Sequence, residues 1–252
     1  MDAAPAGLEE LAQIWFQREA FLSPPPGLAE PFSLQWFLTV EHTRYGRHGR
    51  WLPQLLGFTK HPGETVLCLG NSLGTDGVQY ARHGAHVIVS HPQQLHLGLI
   101  RRNFELRGLT ARFLHADGQY LPLPSGSVDV VCFTTLLEEP IGLPVPVDEI
   151  YRVLKPGGKV AALLPARAPA WWRWLRVTPG GVASSEQFGT RQTRQLFPLF
   201  ENHRLWRRHL RRRHVVWPCR WLPRTVLERL VGRFLVLNAF KPVASVLHRA
   251  AA

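Results

Sequence analysis

The segment ETVLCLGNSLGTDGVQYARHG, residues 64–84, constrains the fold more than any other part of the sequence. TVLCLG is a short apolar run that ends in glycine, which is typical of a buried β-strand, and DGVQYARHG predicts a helix closed by glycine. Gly70 and Gly74 lie in the turn that joins them. A strand, a tight turn and a helix in this order predict an open α/β sheet, in which ligands bind beyond the carboxyl ends of the strands.

Strands and helices continue to alternate after this segment. The pattern predicts strands at HVIVS, ARFLHAD, SVDVVCFTTLL and KVAALLP, separated by helices at PQQLHLGLIRRNFELRGL and VDEIYRVL. Near the end of the chain, TRQTRQLFPLF predicts a helix and FLVLNAF a last strand. The fold class predicted is therefore α/β, with a doubly wound, mostly parallel, seven-stranded Rossmann-like sheet and right-handed crossovers.

Residues 1–60 differ from the rest because they are rich in aromatic residues and contain two helical patterns, LEELAQIWFQREAF and SLQWFLTVEHTRY. Ser33 is a candidate N-cap of the second helix. The first pattern places apolar residues on one stripe, namely Leu8, Leu11, Ile14, Trp15 and Phe16. Core packing explains this stripe better than a ligand surface. We predict an N-terminal helical cap over residues 1–60 and an α/β domain over residues 61–252.

The positive charge of the chain is concentrated in one region. The net charge is +12, and HRLWRRHLRRRHVVWPCRWLPR alone carries eight arginines, with no acidic residue between Glu201 and Glu228. We predict a basic insertion at about 203–234. A substrate cap with solvated arginines, a protein partner and an anionic membrane surface are its alternative roles, with nucleic acid ranked below them. An arginine-rich composition from a GC-rich genome is a further explanation.

Other classes of protein receive little support from the sequence. No apolar run approaches the roughly 18 residues of a membrane span, and the N-terminus does not resemble a secretory signal, so we expect a cytoplasmic protein. Three scattered cysteines (Cys68, Cys132 and Cys219) form no C-x-x-C pair, and the histidines lack metal-ligand spacing, so no metal site is predicted. A G-x-S-x-G elbow, expected of many hydrolases, is absent.

Between Glu64 and Pro165 the sequence resembles the class I S-adenosylmethionine-dependent methyltransferases, in particular the small-molecule branch that includes quinone biosynthesis. The resemblance is carried by VLCLGNSLGTDG, HADGQYLPLPSGSVDVV and EIYRVLKPGGKV. It implies methyl transfer from S-adenosyl-L-methionine, the expected cofactor, to a small acceptor molecule. The tryptophan-rich cap indicates a lipophilic acceptor.

The resemblance also implies roles for individual residues. The loop beside the methionine part of the cofactor would consist of Gly70, Asn71, Ser72 and Gly74. Asp117 would accept a hydrogen bond from the adenine amino group, with Gly118 beside the base. Thr134, at the end of the fourth strand, would face the sulfonium. Methyl transfer needs a base only when the acceptor carries a proton, and Glu138 and Glu139 are the candidates; a solvated loop is the alternative for both.

The sequence also departs from the family pattern. The family has an acidic residue where Cys68 stands, and a glycine where Ser72 stands. At the end of the second strand, Ser90 or His91 occupies the place of the carboxylate that holds the ribose hydroxyls. Charge-assisted hydrogen bonds contribute roughly 1.5–3 kcal/mol each, so this loss weakens binding by on the order of a hundredfold.

These departures predict weak cofactor binding, a different ligand or an empty site. The alternative function is accordingly a catalytically degenerate methyltransferase-like protein, which would serve as a binding or structural subunit through its basic tail.

Overall fold

The structure is a computed structural model that describes residues 6–20, 23–47, 49–70, 73–116, 119–134, 146–167, 187–208, 221 and 223–243. The chain divides into two compact units, Met1–Pro122 and Leu123–Ala252. The N-terminal helices belong to the first unit together with the first three strands. The domain boundary expected near residue 60 stays a prediction.

The first unit contains five helices and three strands among its described residues. They are α1 (Ala6–Ala20), α2 (Leu34–Tyr45), α3 (Leu52–Leu56), β1 (Thr65–Leu69), α4 (Thr75–Arg82), β2 (His86–His91), α5 (Gln94–Glu105) and β3 (Arg112–His115), with a 3₁₀ turn at Phe58–Lys60. β1 pairs in parallel with β2, and β2 with β3. The register sets Leu69 opposite Ser90, so the turn after β1 begins beside the end of β2.

Helix α2 begins where the sequence predicted. The Ser33 side chain accepts a hydrogen bond from the backbone N–H of Trp36 at 3.2 Å, which satisfies one of the free donors of the first turn.

The apolar stripe predicted for α1 is partly wrong. Leu8 and Ile14 are 37% and 41% exposed. The face that packs inward follows the i, i+3, i+4, i+7, i+8 pattern and consists of Ala12, Trp15, Phe16, Glu19 and Ala20. A glutamate inside this face concealed it in the sequence, because a charged residue normally marks the solvent side of a helix.

The second unit contains four strands and three helices among its described residues. They are β4 (Val128–Thr134), α6 (Val147–Val153), β5 (Leu154–Pro165), α7 (Thr190–Leu196), β6 (Glu201–Arg208), α8 (Arg224–Val231) and β7 (Phe234–Phe240). β4 and β5 are parallel, whereas β7 is antiparallel to both β5 and β6. The strand order of the sheet is β3-β2-β1-β4-β5-β7-β6. This seven-stranded, mostly parallel sheet confirms the predicted fold class.

The basic insertion predicted at about 203–234 needs correction, because part of it belongs to the sheet. β6 covers Glu201–Arg208, and α8 and the start of β7 lie within the same range. The sequence ENHRLWRR concealed the strand because it has no β-branched residue and three arginines. β6 is an edge strand, where charged side chains are favoured since they discourage pairing with other chains. No helix among the described residues is long and apolar enough to cross a membrane.

Candidate functional site

The turn after β1 has the backbone conformation that its glycines predict. Gly70 has φ +100° and Gly74 has φ +78°. Residues other than glycine rarely adopt such positive φ angles. Gly74 is also the N-cap of α4. Ser90 and His91 close the neighbouring strand β2 and are 5% and 1% exposed. The first unit thus brings together four of the predicted cofactor-binding residues.

Position 74 requires glycine for close packing as well as for the positive φ angle of its backbone. A Cβ atom at this position would lie 2.6 Å from Cγ2 of Ile100 and 3.2 Å from Cε2 of Phe104, both on α5. Its missing side chain therefore allows α4 and α5 to approach closely, a role that glycines also have in related nucleotide-binding turns. Contact between Gly74 and a ligand stays a prediction.

The backbone of Leu73, between the two glycines, is fixed from both sides by buried side chains. Its N–H donates to Oε1 of Glu19 on α1 at 2.5 Å, and its carbonyl oxygen accepts from Nδ2 of Asn103 on α5 at 2.9 Å. Glu19 and Asn103 are both fully buried. These bonds position the backbone of Leu73 without a ligand, because buried hydrogen bonds are costly to break.

A buried ion pair fixes the start of α4. Arg44 on α2 donates from Nε to Oδ1 of Asp76 at 3.0 Å and from Nη2 to Oδ2 at 2.6 Å. Tyr45 donates to Oδ1 of Asp76 at 2.7 Å, and Nη1 of Arg44 donates to the backbone oxygen of Glu19 at 2.6 Å. One guanidinium therefore joins α1, α2 and α4.

Charge and burial compete at this ion pair. Burial disfavours the guanidinium charge of Arg44, but Asp76, Tyr45 and Glu19 together outweigh it, so the pKa of Arg44 lies above its ordinary value. Burial and the same carboxylate raise the pKa of the Tyr45 phenol, which keeps its proton and acts as a donor.

Sequence patterns alone do not single out Glu19, Arg44, Asp76 or Asn103. The available signal was weak: each is a polar residue on the inward face of its helix, at helical spacing from buried apolar residues.

His91 is neutral in the folded protein. Burial, helped by the nearby His96 and His115, lowers the pKa of His91 to about 4. Its Nδ1 accepts from the backbone N–H of Gln93 at 2.9 Å, which assigns the proton to Nε2. A neutral donor therefore stands at the end of β2, where the family resemblance would place a carboxylate acceptor.

The low pKa of His91 makes stability depend on pH. The unfolded imidazole has a pKa of about 6.5, so the contribution of neutral His91 is present above that value and is lost as the pH falls towards 4. We expect the free energy of unfolding, measured with urea at steps from pH 7.5 to 4.5, to fall less steeply for His91→Gln than for the wild type. His42→Gln, at an exposed position of α2, is the control and should keep the wild-type slope. Parallel slopes for His91→Gln and the wild type would contradict the assignment.

In the second unit, Thr134 ends β4, pairs with Leu163 and is 3% exposed. The other predicted site residues, namely Asn71, Ser72, Asp117, Gly118, Glu138 and Glu139, lie outside the described residues. Within the described part of the chain, no three His, Cys, Asp or Glu side chains are grouped to hold a metal ion.

The arginine-rich region is described only in part. β6 carries Arg204, Arg207 and Arg208, α8 carries Arg229, and Trp221 is 84% exposed. The contacts of this region with a protein, a membrane surface or nucleic acid stay predictions.

Comparison with known proteins now identifies the central part of the chain. Residues 66–158, which include β1, the glycine turn, β2 and β4, match the family described as a methyltransferase domain. This part of the chain is therefore similar to a methyltransferase domain. Demethylmenaquinone methyltransferase of Thermus thermophilus is 38% identical to this chain over 80 residues, which are 32% of the chain and 36% of that protein. The chain thus matches only about a third of the length of this curated relative.

Solved structures share the fold of the methyltransferase domain. A SAM-dependent methyltransferase from Aquifex aeolicus superposes with a TM-score of 0.54 over 75% of this chain and 88% of its own, at 16% identity. The [4+2]-cyclase SpnF gives a TM-score of 0.57 over 97% and 99%, at 17% identity. At these identities the likeness concerns the fold alone, and a fold shared with a cyclase does not decide the chemistry.

Proposed function

We propose that the chain is an S-adenosylmethionine-dependent methyltransferase that acts on a small, lipophilic molecule. The match of residues 66–158 to the methyltransferase domain family carries this proposal, because it includes the glycine turn and the strands that would hold the cofactor. The name of the Thermus relative, a demethylmenaquinone methyltransferase, supports a quinone-like acceptor.

The described geometry fits the proposed cofactor. Gly70 and Gly74 have positive φ angles, which are typical of turns that a ligand approaches closely, and buried side chains hold the backbone of Leu73 from both sides. His91 would donate one hydrogen bond to a ribose hydroxyl, and Ser90 would add a weaker one. When bound, S-adenosylmethionine supplies an electrophilic methyl group on a sulfonium.

The protein's part in such a reaction is mainly to orient the acceptor in line with the methyl group and to exclude water. Prior fixing of the loop contributes because fewer groups must be ordered on binding. Glu138 and Glu139 are proposed as bases if the acceptor carries a proton. The catalytically degenerate alternative rested on the missing acidic residues, and nothing in the comparisons favours it.

Calorimetry with S-adenosylhomocysteine and S-adenosylmethionine tests the proposal directly. We expect both to bind, and we expect Asp117→Ala to weaken binding by about ten- to a hundredfold, because the lost hydrogen bond to adenine is worth about 1–3 kcal/mol. Asp148→Ala, at an exposed carboxylate of α6, is the matched control and should bind as the wild type does.

Transfer of a labelled methyl group to a panel of demethylated quinols and carboxylic acids then identifies the acceptor. If neither S-adenosylhomocysteine nor S-adenosylmethionine at millimolar concentration gave binding heat or a thermal shift, the proposed function would be refuted. Unchanged affinity in Asp117→Ala would remove only the adenine assignment.

A further inference from the structure

Glu19 is a buried carboxylate with half of its hydrogen-bonding capacity unused. It is 0% exposed, and its Oε1 accepts the bond from the backbone N–H of Leu73. Oε2 is buried and has no hydrogen-bond partner. An ionised carboxylate in this position is unfavourable unless a positive charge compensates it, since burial removes the stabilisation by water.

The nearby cation, Arg44, compensates the charge of Glu19 only in part, because a second carboxylate shares it. Nε and Nη2 of Arg44 donate to the carboxylate of Asp76, and Nη1 donates to the backbone oxygen of Glu19. Tyr45 is neutral and also donates to Asp76. With Glu19 and Asp76 ionised, two carboxylates face one guanidinium, and this buried cluster carries a net charge of −1.

The cluster lies against the turn after β1, and β1 is the strand that lacks the acidic residue implied by the family resemblance. Cys68 stands where the family resemblance implies an acid two positions before Gly70, and Glu19 reaches Leu73, three positions after Gly70, from a helix about fifty residues upstream. We propose that Glu19 replaces the acid missing at Cys68 and provides the counter-charge for the cationic part of the cofactor, its α-ammonium and sulfonium groups. The inference rests on the proposed function. The effect acts through the electrostatic field of the carboxylate and needs no direct contact.

Protonation gives this arrangement a measurable signature. Burial raises the pKa of Glu19, and the Asp76 carboxylate adds to this, while the Arg44 guanidinium and the Leu73 N–H oppose it. Without ligand, the carboxyl group therefore keeps its proton to a higher pH than a solvated glutamate does. Arrival of a cation favours the ionised form, so Glu19 releases its proton to the buffer as the ligand binds.

Calorimetry on the full chain at pH 5.5 and pH 8.0, in buffers of high and low ionisation enthalpy, tests this inference. The probes are S-adenosylhomocysteine, which has the α-ammonium, and 5′-methylthioadenosine, which lacks the whole amino-acid part. We expect Glu19→Gln to weaken S-adenosylhomocysteine binding at pH 8.0 by about tenfold or more. Binding of 5′-methylthioadenosine should change less than twofold, and the proton release seen with the wild type at pH 5.5 should disappear.

Two further variants separate charge from structure. Glu10→Gln, at an exposed position of the same helix, should bind both probes as the wild type does. Glu19→Gln keeps an oxygen for the Leu73 N–H and removes a buried charge, so its ligand-free melting temperature should equal or exceed that of the wild type. Glu19→Asp keeps the charge and should retain part of the affinity for S-adenosylhomocysteine.

Each other outcome would overturn the inference. An unchanged affinity for S-adenosylhomocysteine in Glu19→Gln would show that Glu19 is not the counter-charge, and would leave the proposed function intact. Equal losses for both probes together with a lower melting temperature would assign Glu19 a structural role only. Failure of the wild type itself to bind S-adenosylhomocysteine would overturn the proposed function and this inference with it.

Discussion

Replacing Gly74 with alanine is expected to destabilise the first unit by about 2–5 kcal/mol. Two effects contribute. A side chain in the left-handed region costs about 1–2 kcal/mol, and overpacking against a closed interior costs about 1–3 kcal/mol more. The second effect applies because the new Cβ would lie 2.6 Å from Ile100 Cγ2, a buried branched side chain that has little room to move. Urea denaturation followed by circular dichroism gives the change in the free energy of unfolding.

Gly63→Ala separates the two effects. Gly63 has φ +74°, almost the same as Gly74, but nothing lies within 4 Å of a Cβ built on it. This control should therefore lose only the conformational part, about 1–2 kcal/mol. Equal losses at the two positions would contradict the packing role of Gly74.

The fold could be predicted because it is encoded in local patterns. The apolar run of β1, the two glycines and the helix that follows lie within 21 consecutive residues, and each agrees with the others. The positive φ angles at Gly70 and Gly74 then confirm the turn. β6 was not predicted because it lacks such a local pattern. It is an edge strand half exposed to water, and its apolar residues do not alternate.

The network around the glycine turn could not be predicted from the sequence, because its members are far apart in the chain. Glu19 and Leu73 are separated by 54 positions, and Arg44 and Asp76 by 32. Charged residues on helices usually face solvent, so nothing in the sequence distinguishes Glu19, Arg44 and Asp76 from the many charged residues that do. Only the packing of α1 and α2 against the loop shows that their charges are buried. The absence of an acid at Cys68 is visible in the local sequence, whereas the carboxylate proposed to replace it, Glu19, lies far away in the chain.

The position of Arg44 makes it the residue whose loss should affect the loop most. Arg44→Met is expected to lower the free energy of unfolding by about 3–5 kcal/mol, because it leaves the Asp76 carboxylate buried without its partner. Arg82→Met is the matched control: Arg82 also pairs with a carboxylate, that of Glu41, but its side chain is 43% exposed, so the expected loss is below about 1 kcal/mol.

A double variant shows how much of the stability lost in Arg44→Met comes from the buried Asp76 carboxylate that is left without its partner. Asp76→Leu added to Arg44→Met removes both charges, and replacing a buried ion pair by apolar groups is often nearly neutral. We therefore expect the double variant to recover a large part of the stability lost in Arg44→Met, with a coupling energy of about 1–3 kcal/mol in the double-mutant cycle. Additive losses would indicate that Arg44 acts mainly through its bond to the Glu19 backbone. In either case affinity for S-adenosylhomocysteine should fall along with stability, because the same guanidinium joins both N-terminal helices to the start of α4, directly after the glycine turn.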